Sequence, residues 1–358
     1  MKKIKVLHIT ETFATGVYIY IKDLTNYLDK EKGFRSFIIY SGNREGTEKN
    51  RFSGDFPSNV KFYEIDMVRE IKPITDLKSV ISLIRLIKKI KPNIIHCHSS
   101  KGGVLGRVAA FFFWNIKVYY TPHGYSFLRE DVSFLKKKLF YFIEKISSTI
   151  FSGTIVACGD TEYEYSKKLG KSELVRNGVA INEVSKYMTD KKDKANFIIG
   201  TIGRISYQKN PSLFNRIATS FPNVKFVWVG NGNLRNELIS KNITVTGWKT
   251  REEALRIANT YDVYLQTSLW EGLPITIIEA MALGKPVLAT NIIGNKDAVL
   301  NNKTGYLCYS ESDFKDKIDI FLNNPDLILK MGKASIKRAQ TKFNIQENFK
   351  KLKELYLR

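Results

Sequence analysis

The 358-residue sequence predicts an α/β protein made of two doubly wound, Rossmann-like domains. Three observations predict it. Short β-branched runs alternate with longer amphipathic segments, the alternation starts afresh near residue 195, and a charged, aperiodic stretch, MTDKKDKAN (188–196), lies between the two rounds. The expected division is therefore 1–187, a linker at 188–196, a second domain at 197–340, and a closing helix at 341–358 that could return to the first domain.

In the first round, strands are expected at 4–10 (IKVLHIT), 34–41, 60–65, 93–99 (NIIHCHS), 117–123 (KVYYTPH) and 153–158. Helices are expected near 17–30, 75–90, 102–113, 133–149 and 160–169. In the second, the strands are 195–204 (ANFIIGTIGR), 224–230, 243–248, 262–268 (DVYLQTS) and 285–290, the last of its sheet. Beyond Asp313 the chain reads as helical, and Ile345, Phe349, Leu352, Leu355 and Tyr356 fall at helical spacing. In open parallel sheets ligands bind beyond the carboxyl ends of the strands, so the chemistry is expected there.

Composition narrows the function classes. Cys97, Cys158 and Cys308 are too few and too scattered for a disulfide framework, which suits buried thiols in a reducing cytosol. The apolar part of MKKIKVLHIT is too short for a secretion signal, and VAAFFFW is far short of the roughly 20 residues of a membrane span. The formal charge is +22, and the stretch from Leu77 to Arg129 holds nine Lys or Arg and no acid. Lys136, Lys137 and Lys138 then open the amphipathic SFLKKKLFYFIEKI. Such an excess fits a solvated, lysine-rich surface, an anionic membrane, or nucleic acid, although neither a zinc-finger nor an RNP-like pattern is present.

Two strand ends carry chemistry. After FIIGTI come Gly203 and Arg204, then Lys209: a residue that admits close approach, and two cations suited to a diphosphate. After DVYLQTS comes WEGLPITIIEAMALGKPVLAT, in which Glu271 opens a Gly272-Leu273-Pro274 turn and Glu279 sits in an apolar run. Pro274 suits a first helical position, and the free N–H groups near Ile275 and Thr276 offer an anion site. An unpaired buried carboxylate is costly, so Glu279 must have partners: two hydroxyl groups, as of a ribose, or a structural ion pair. Among the histidines, His123 and His98 close strands, and His96 is expected on the opposite face from His98. A metal on His96-Cys97-His98 would lack its remaining ligands.

The combination of Glu271, Glu279, Gly203-Arg204 and Lys209 resembles the retaining glycosyltransferases of family 4, which have the GT-B fold of two domains facing across a cleft. PNIIHCHSSKGGVLGRVAA, YYTPHGYSF, VRNGV (175–179) and GNKDAVLNNKTGYL extend the likeness, in the manner of bacterial surface-polysaccharide enzymes, along nearly the whole chain. The resemblance implies that Arg204 and Lys209 meet the donor diphosphate, Glu279 the ribose, Glu271 the donor sugar, and His123 a hydroxyl near the reacting centre. Gly16 would admit the donor to the first loop, but where the family shows two glycines this chain has Thr15-Gly16. It implies retention by front-face attack, without an enzymic nucleophile or a metal, and no D-x-D motif occurs.

The expected function is transfer of a sugar from a nucleotide-diphosphate donor, a UDP-sugar first, to a polyprenyl-diphosphate-linked glycan. The enzyme would be cytoplasmic, held peripherally on the inner membrane face by the basic first domain. Nucleic acid is not an expected partner. The alternatives are another GT-B activity, a nucleotide-sugar epimerase or a phosphorylase, and a basic nucleic-acid-binding protein.

Overall fold

The computed structural model describes residues 3–43, 47, 49–151, 153–188 and 197–358. The linker expected at 188–196 lies, apart from Met188, outside the described residues. The chain divides into two compact units: one made of 1–128, 132–176 and 346–358, the other of 129–131 and 177–345. The units change at Arg176–Asn177, ahead of the boundary expected at 187, so the helix Ile181–Ser185 belongs to the second.

The first unit holds seven parallel strands: β1 (Ile4–Thr10), β2 (Phe34–Tyr40), β3 (Lys61–Glu64), β4 (Ile94–His98), β5 (Lys117–Thr121), β6 (Thr154–Ala157) and β7 (Ser172–Leu174), in the order β3-β2-β1-β4-β5-β6-β7. Strand order reverses between β1 and β4, the position at which such sheets bind ligands. One face carries Leu7, Ile9, Ile95, Cys97 and Tyr120, covered by the helices Pro73–Ile90 and Ser100–Ala110. The other carries His8, His96 and His98, covered by Tyr20 of helix Thr15–Lys30 and Tyr356 of helix Ile345–Leu357. The periodic tail residues Ile345, Phe349, Leu352, Leu355 and Tyr356 are all buried.

The second unit holds β8 (Ile198–Ile202), β9 (Lys225–Val229), β10 (Ile243–Val245), β11 (Val263–Gln266), β12 (Val287–Thr290) and β13 (Gly305–Cys308), parallel in the order β10-β9-β8-β11-β12-β13. Its reversal lies between β8 and β11. Strand β13 extends the sheet past the one expected to be last, pairing with β12 from Val287↔Gly305 to Thr290↔Cys308. Its core packs Ile199, Phe226, Trp228 and Leu265 against Phe214 and Phe314. All three cysteines are buried and none is in a disulfide.

Several expectations change. His96 and His98 are two residues apart on one strand and so share a face, with ring centroids 4.3 Å apart; the residue turned the other way is Cys97, whose Sγ faces Gly106. The basic run is also less exposed than its sequence suggests. Arg107 is buried, its Nη2 2.9 Å from Glu144 Oε2, and Lys101 Nζ lies 2.6 Å from Asp76. Lys78, Arg85, Lys88, Lys89, Lys91 and Lys117 are exposed.

Candidate functional site

At the reversal point of the second sheet, β8 gives way to Gly203-Arg204 and β11 to Thr267-Ser268. Lys209 closes a short 3-10 turn (Tyr207–Lys209), and its Nζ reaches Glu271 Oε1 at 2.6 Å. The same oxygen accepts from Ser268 Oγ at 2.7 Å and from Gln266 Nε2 at 2.9 Å. Gln208 Nε2 donates to the Trp270 carbonyl at 2.9 Å, which fixes the loop before Glu271. Gln266 and Ser268 are fully buried polar residues at the end of an apolar strand. Their only signal in the sequence is that polarity.

Close packing sets the backbone of this site. A Cβ on Gly203 would lie 3.1 Å from Lys209 Cε, so the glycine makes room for that side chain. A Cβ on Gly294 would come within 2.0 Å of the Gly272 carbonyl and 3.0 Å of Glu271 Cβ. Gly294, at φ 84°, is thus part of the wall behind the Glu271-Gly272 turn. Asn177 Nδ2 holds the Leu273 carbonyl at 3.0 Å.

Pro274 is not the first helical residue. Its ψ of 116° is extended, it stands in the N-cap position, and the helix begins at Ile275. The N–H groups of Ile275 and Thr276 still open the helix, and a helix start favours an anion. Seven of the eight residues of Ile275–Ala282 are buried, Glu279 among them. Its partner is Arg251, whose Nε lies 2.7 Å from Glu279 Oε1. Arg251 opens the helix Arg251–Asn259, which nothing in the sequence connected to Glu279. The structure therefore joins Lys209, Gly203 and Glu271 in one cluster, places half-buried Arg204 beside Gly203, and sets Glu279 on Arg251.

At the reversal point of the first sheet, imidazole rings converge. His8 Nδ1 lies 3.1 Å from His98 Nε2, and His98 Nδ1 lies 3.2 Å from His123 Nε2. His96 is held separately, Nδ1 by the Tyr356 hydroxyl at 2.6 Å and Nε2 by Thr121 Oγ1 at 2.8 Å. Burial pushes His8 and His123 down to about 3 and His96 and His98 well below their ordinary value. All four imidazoles are neutral at pH 7. The nitrogens of His8, His96 and His98 lie within 4.8 Å of one another and could converge on a metal, but both nitrogens of His96 are engaged.

His123 sits at φ 54°, where a residue with a Cβ is strained, and Gly124 follows at φ 97°. Glu162 clamps that turn: its carboxylate accepts from Gly124 N at 2.7 Å and Cys158 N at 2.8 Å. The edge of the Tyr20 ring packs on the His123 ring, with centroids 4.8 Å apart. At the start of helix Thr15–Lys30, after the β1 loop, the strained position is Thr15, at φ 49°, and a Cβ on Gly16 would meet nothing within 4 Å.

Two family models match the chain: "Glycosyltransferase Family 4" over residues 14–183 and "Glycosyl transferases group 1" over 187–338. The chain is 32% identical to the Escherichia coli UDP-Gal:alpha-D-GlcNAc-diphosphoundecaprenol alpha-1,3-galactosyltransferase, covering 83% of each chain. It is 28% identical to the capsular polysaccharide biosynthesis glycosyltransferase CapM of Staphylococcus aureus, over 82% of this chain and 83% of that one. Among solved structures, sucrose-phosphate synthase from Thermosynechococcus elongatus superposes with a TM-score of 0.82 at 17% identity, covering 99% and 98% of the two chains. Anabaena HepE in complex with UDP and glucose gives 0.79 at 16% identity, covering 98% and 99%.

Proposed function

Because the chain belongs to the glycosyltransferases of family 4, with the GT-B fold, we propose that it moves a sugar, with retention, from a UDP-sugar to a lipid-linked glycan acceptor in bacterial surface-polysaccharide synthesis. The observation that carries this reading is the Lys209–Glu271 pair at the reversal point of the second sheet, beside Gly203-Arg204 and a helix start. Without an anion, Glu271 balances the lysine. When a diphosphate arrives, the Lys209 ammonium, Arg204 and the N–H groups near Ile275 and Thr276 meet it, and Glu271 becomes available to sugar hydroxyls. Glu279, steadied by Arg251 at one oxygen, uses the other for the ribose.

The bond from C1 of the sugar to the diphosphate oxygen breaks while a bond from C1 to the acceptor oxygen forms on the same face. The acceptor proton goes to the departing phosphate oxygen. No enzymic nucleophile takes part, and no metal is required. Stabilising the charge that grows on the leaving diphosphate is the main task of the site. The test is product analysis with UDP-galactose, UDP-glucose and UDP-N-acetylglucosamine, with a polyprenyl-diphosphate-linked sugar as acceptor and EDTA present. An α-linked product from an α-linked donor is expected. An inverted product, or release of an epimerised sugar without acceptor, overturns the reading.

The acceptor side of the proposal draws on the surface of the first unit. Helix Phe134–Ile150 exposes Phe134 (68%) and Leu135 (76%) beside Lys136, Lys137 and Lys138, and Trp114 is 95% exposed near Phe111 and Phe112. Helix Pro73–Ile90 adds exposed Ile74 and Leu77 with Lys78, Arg85, Lys88 and Lys89. Apolar side chains among cations suit an anionic bilayer surface, here the inner leaflet. Among the described residues no helix is long and apolar enough to cross a membrane. Binding to phosphatidylglycerol vesicles that weakens with salt is expected, and no binding at low salt overturns this part.

A further inference from the structure

The chain His8–His98–His123 has a direction. Each of its two N···N contacts, 3.1 and 3.2 Å, needs one proton between the nitrogens. Three neutral imidazoles carry three protons, so only two arrangements satisfy both contacts. In one, every ring is protonated on Nδ1: His8 donates to His98, and His98 donates to His123. In the other, every ring is protonated on Nε2 and the donations run back towards His8.

The far end decides between them. His8 Nε2 is buried and meets no hydrogen-bond partner. The second arrangement would leave an N–H there, enclosed and unpaired. The first leaves only a bare lone pair. Buried donors without partners are rarer and costlier than acceptors in that state. Neutrality is secured because burial disfavours the imidazolium at each ring.

We propose that His98 and His8 are positioning residues that lock the His123 proton on Nδ1, so that this nitrogen meets an oxygen of the bound sugar nucleotide as a hydrogen-bond donor. This rests on the reading that His123 faces the reacting sugar. It also excludes His123 Nδ1 as the base that takes the acceptor proton, because the nitrogen has no lone pair to offer. His96 stands outside the chain, tied to Tyr356 and Thr121.

The test is long-range ¹H–¹⁵N NMR of the full chain labelled at histidine nitrogens, with signals assigned by single substitutions. The Nδ1–H tautomer is expected at His8, His98 and His123. An Nε2–H signal or an imidazolium at His123 at pH 7 overturns the proposal, as does a stoichiometric zinc bound by the histidines of the purified protein. His98→Leu should turn His123 into a tautomer mixture and lower kcat roughly tenfold. UDP affinity and the melting curve serve as controls for folding. His98→Asn should restore both, because its amide N–H stands close to where Nδ1 stood. An unchanged His123 tautomer in His98→Leu, or no recovery in a folded His98→Asn, counts against the lock. The spectrum needs no substrate, whereas the rate of His123→Ala tests whether that residue meets the sugar at all. Wild-type turnover in His123→Ala would remove the contact with the sugar and leave the lock to stand or fall on the spectrum.

Discussion

Beyond β8 and β11 the second sheet ends in an ion pair, whereas beyond β1, β4 and β5 the first ends in a row of uncharged imidazoles. Both edges are reversal points of doubly wound sheets, and both bury polar groups. They solve the cost of burial in opposite ways. Lys209 is paired with Glu271, which lies against it at 2.6 Å. For the histidines burial prevails and disfavours the charged form. On the proposed function, the group that meets the diphosphate is one that is ion-paired, and the group that meets a sugar hydroxyl is one that is buried and neutral.

The largest test of this contrast is Lys209→Ala. Turnover should fall roughly 10²- to 10³-fold, the usual cost of removing one donor to a developing anion. The circular dichroism spectrum should be unchanged. A loss confined to KM would mean that the lysine holds the ground state only.

Acid should next separate the two units, because all four histidines lie in the first. The His8 pKa is lowered to about 3 in the fold against 6.5 when unfolded. The folded protein therefore binds fewer protons between those values. Its stability is complete above pH 6.5 and is lost as pH falls towards 3, at about 1.4 kcal/mol per pH unit for each such histidine. Between pH 6.5 and 5, before carboxylates titrate, amide exchange should accelerate in the first unit and not in the second. His8→Leu should flatten that slope. Equal acceleration in both units would break the comparison.

A smaller effect is expected from Glu279→Gln. UDP affinity should weaken about tenfold, or roughly 1.4 kcal/mol, as one charge-assisted hydrogen bond to the ribose becomes a neutral one. Uridine affinity should follow it, and inorganic phosphate affinity should not. If all three change together, Glu279 serves only to hold Arg251. The smallest effect belongs to Thr15→Gly. Relief of the left-handed Thr15 is worth roughly 1–2 kcal/mol, but glycine returns about half of it as chain entropy. A rise in Tm of a few degrees is expected, and a fall would show that the threonine side chain has a role of its own.

Much of this architecture was legible in the sequence, and the exceptions have physical causes. β1 was read to the residue because IKVLHIT holds the apolar Ile4, Val6, Leu7 and Ile9 in a short run that ends at Glu11. β7 was missed because SEL is short and only half-buried at the sheet edge, and β13 because GYLC reads as a turn after Lys303-Thr304. Lys209 and Glu271 were found through their strand ends, yet the sequence did not say that they pair. Nor could it show that Arg107 leaves the basic run to meet Glu144, or that Arg251 completes Glu279. Those partners lie far apart along the chain and are joined only by tertiary packing. The error over His96 was of another kind: the two-residue period of a strand already placed it beside His98.

The segment 346–358 belongs to the first unit although it follows the whole of the second. Tyr356 closes over His96 and Phe349 over Tyr20, so the histidine face is covered only once residues 346–358 are in place. During synthesis the first sheet can form before its cover does, because the covering segment is made after the whole of the second unit. A nick near residue 345 would cut the covalent link between this cover and a region more than two hundred positions upstream.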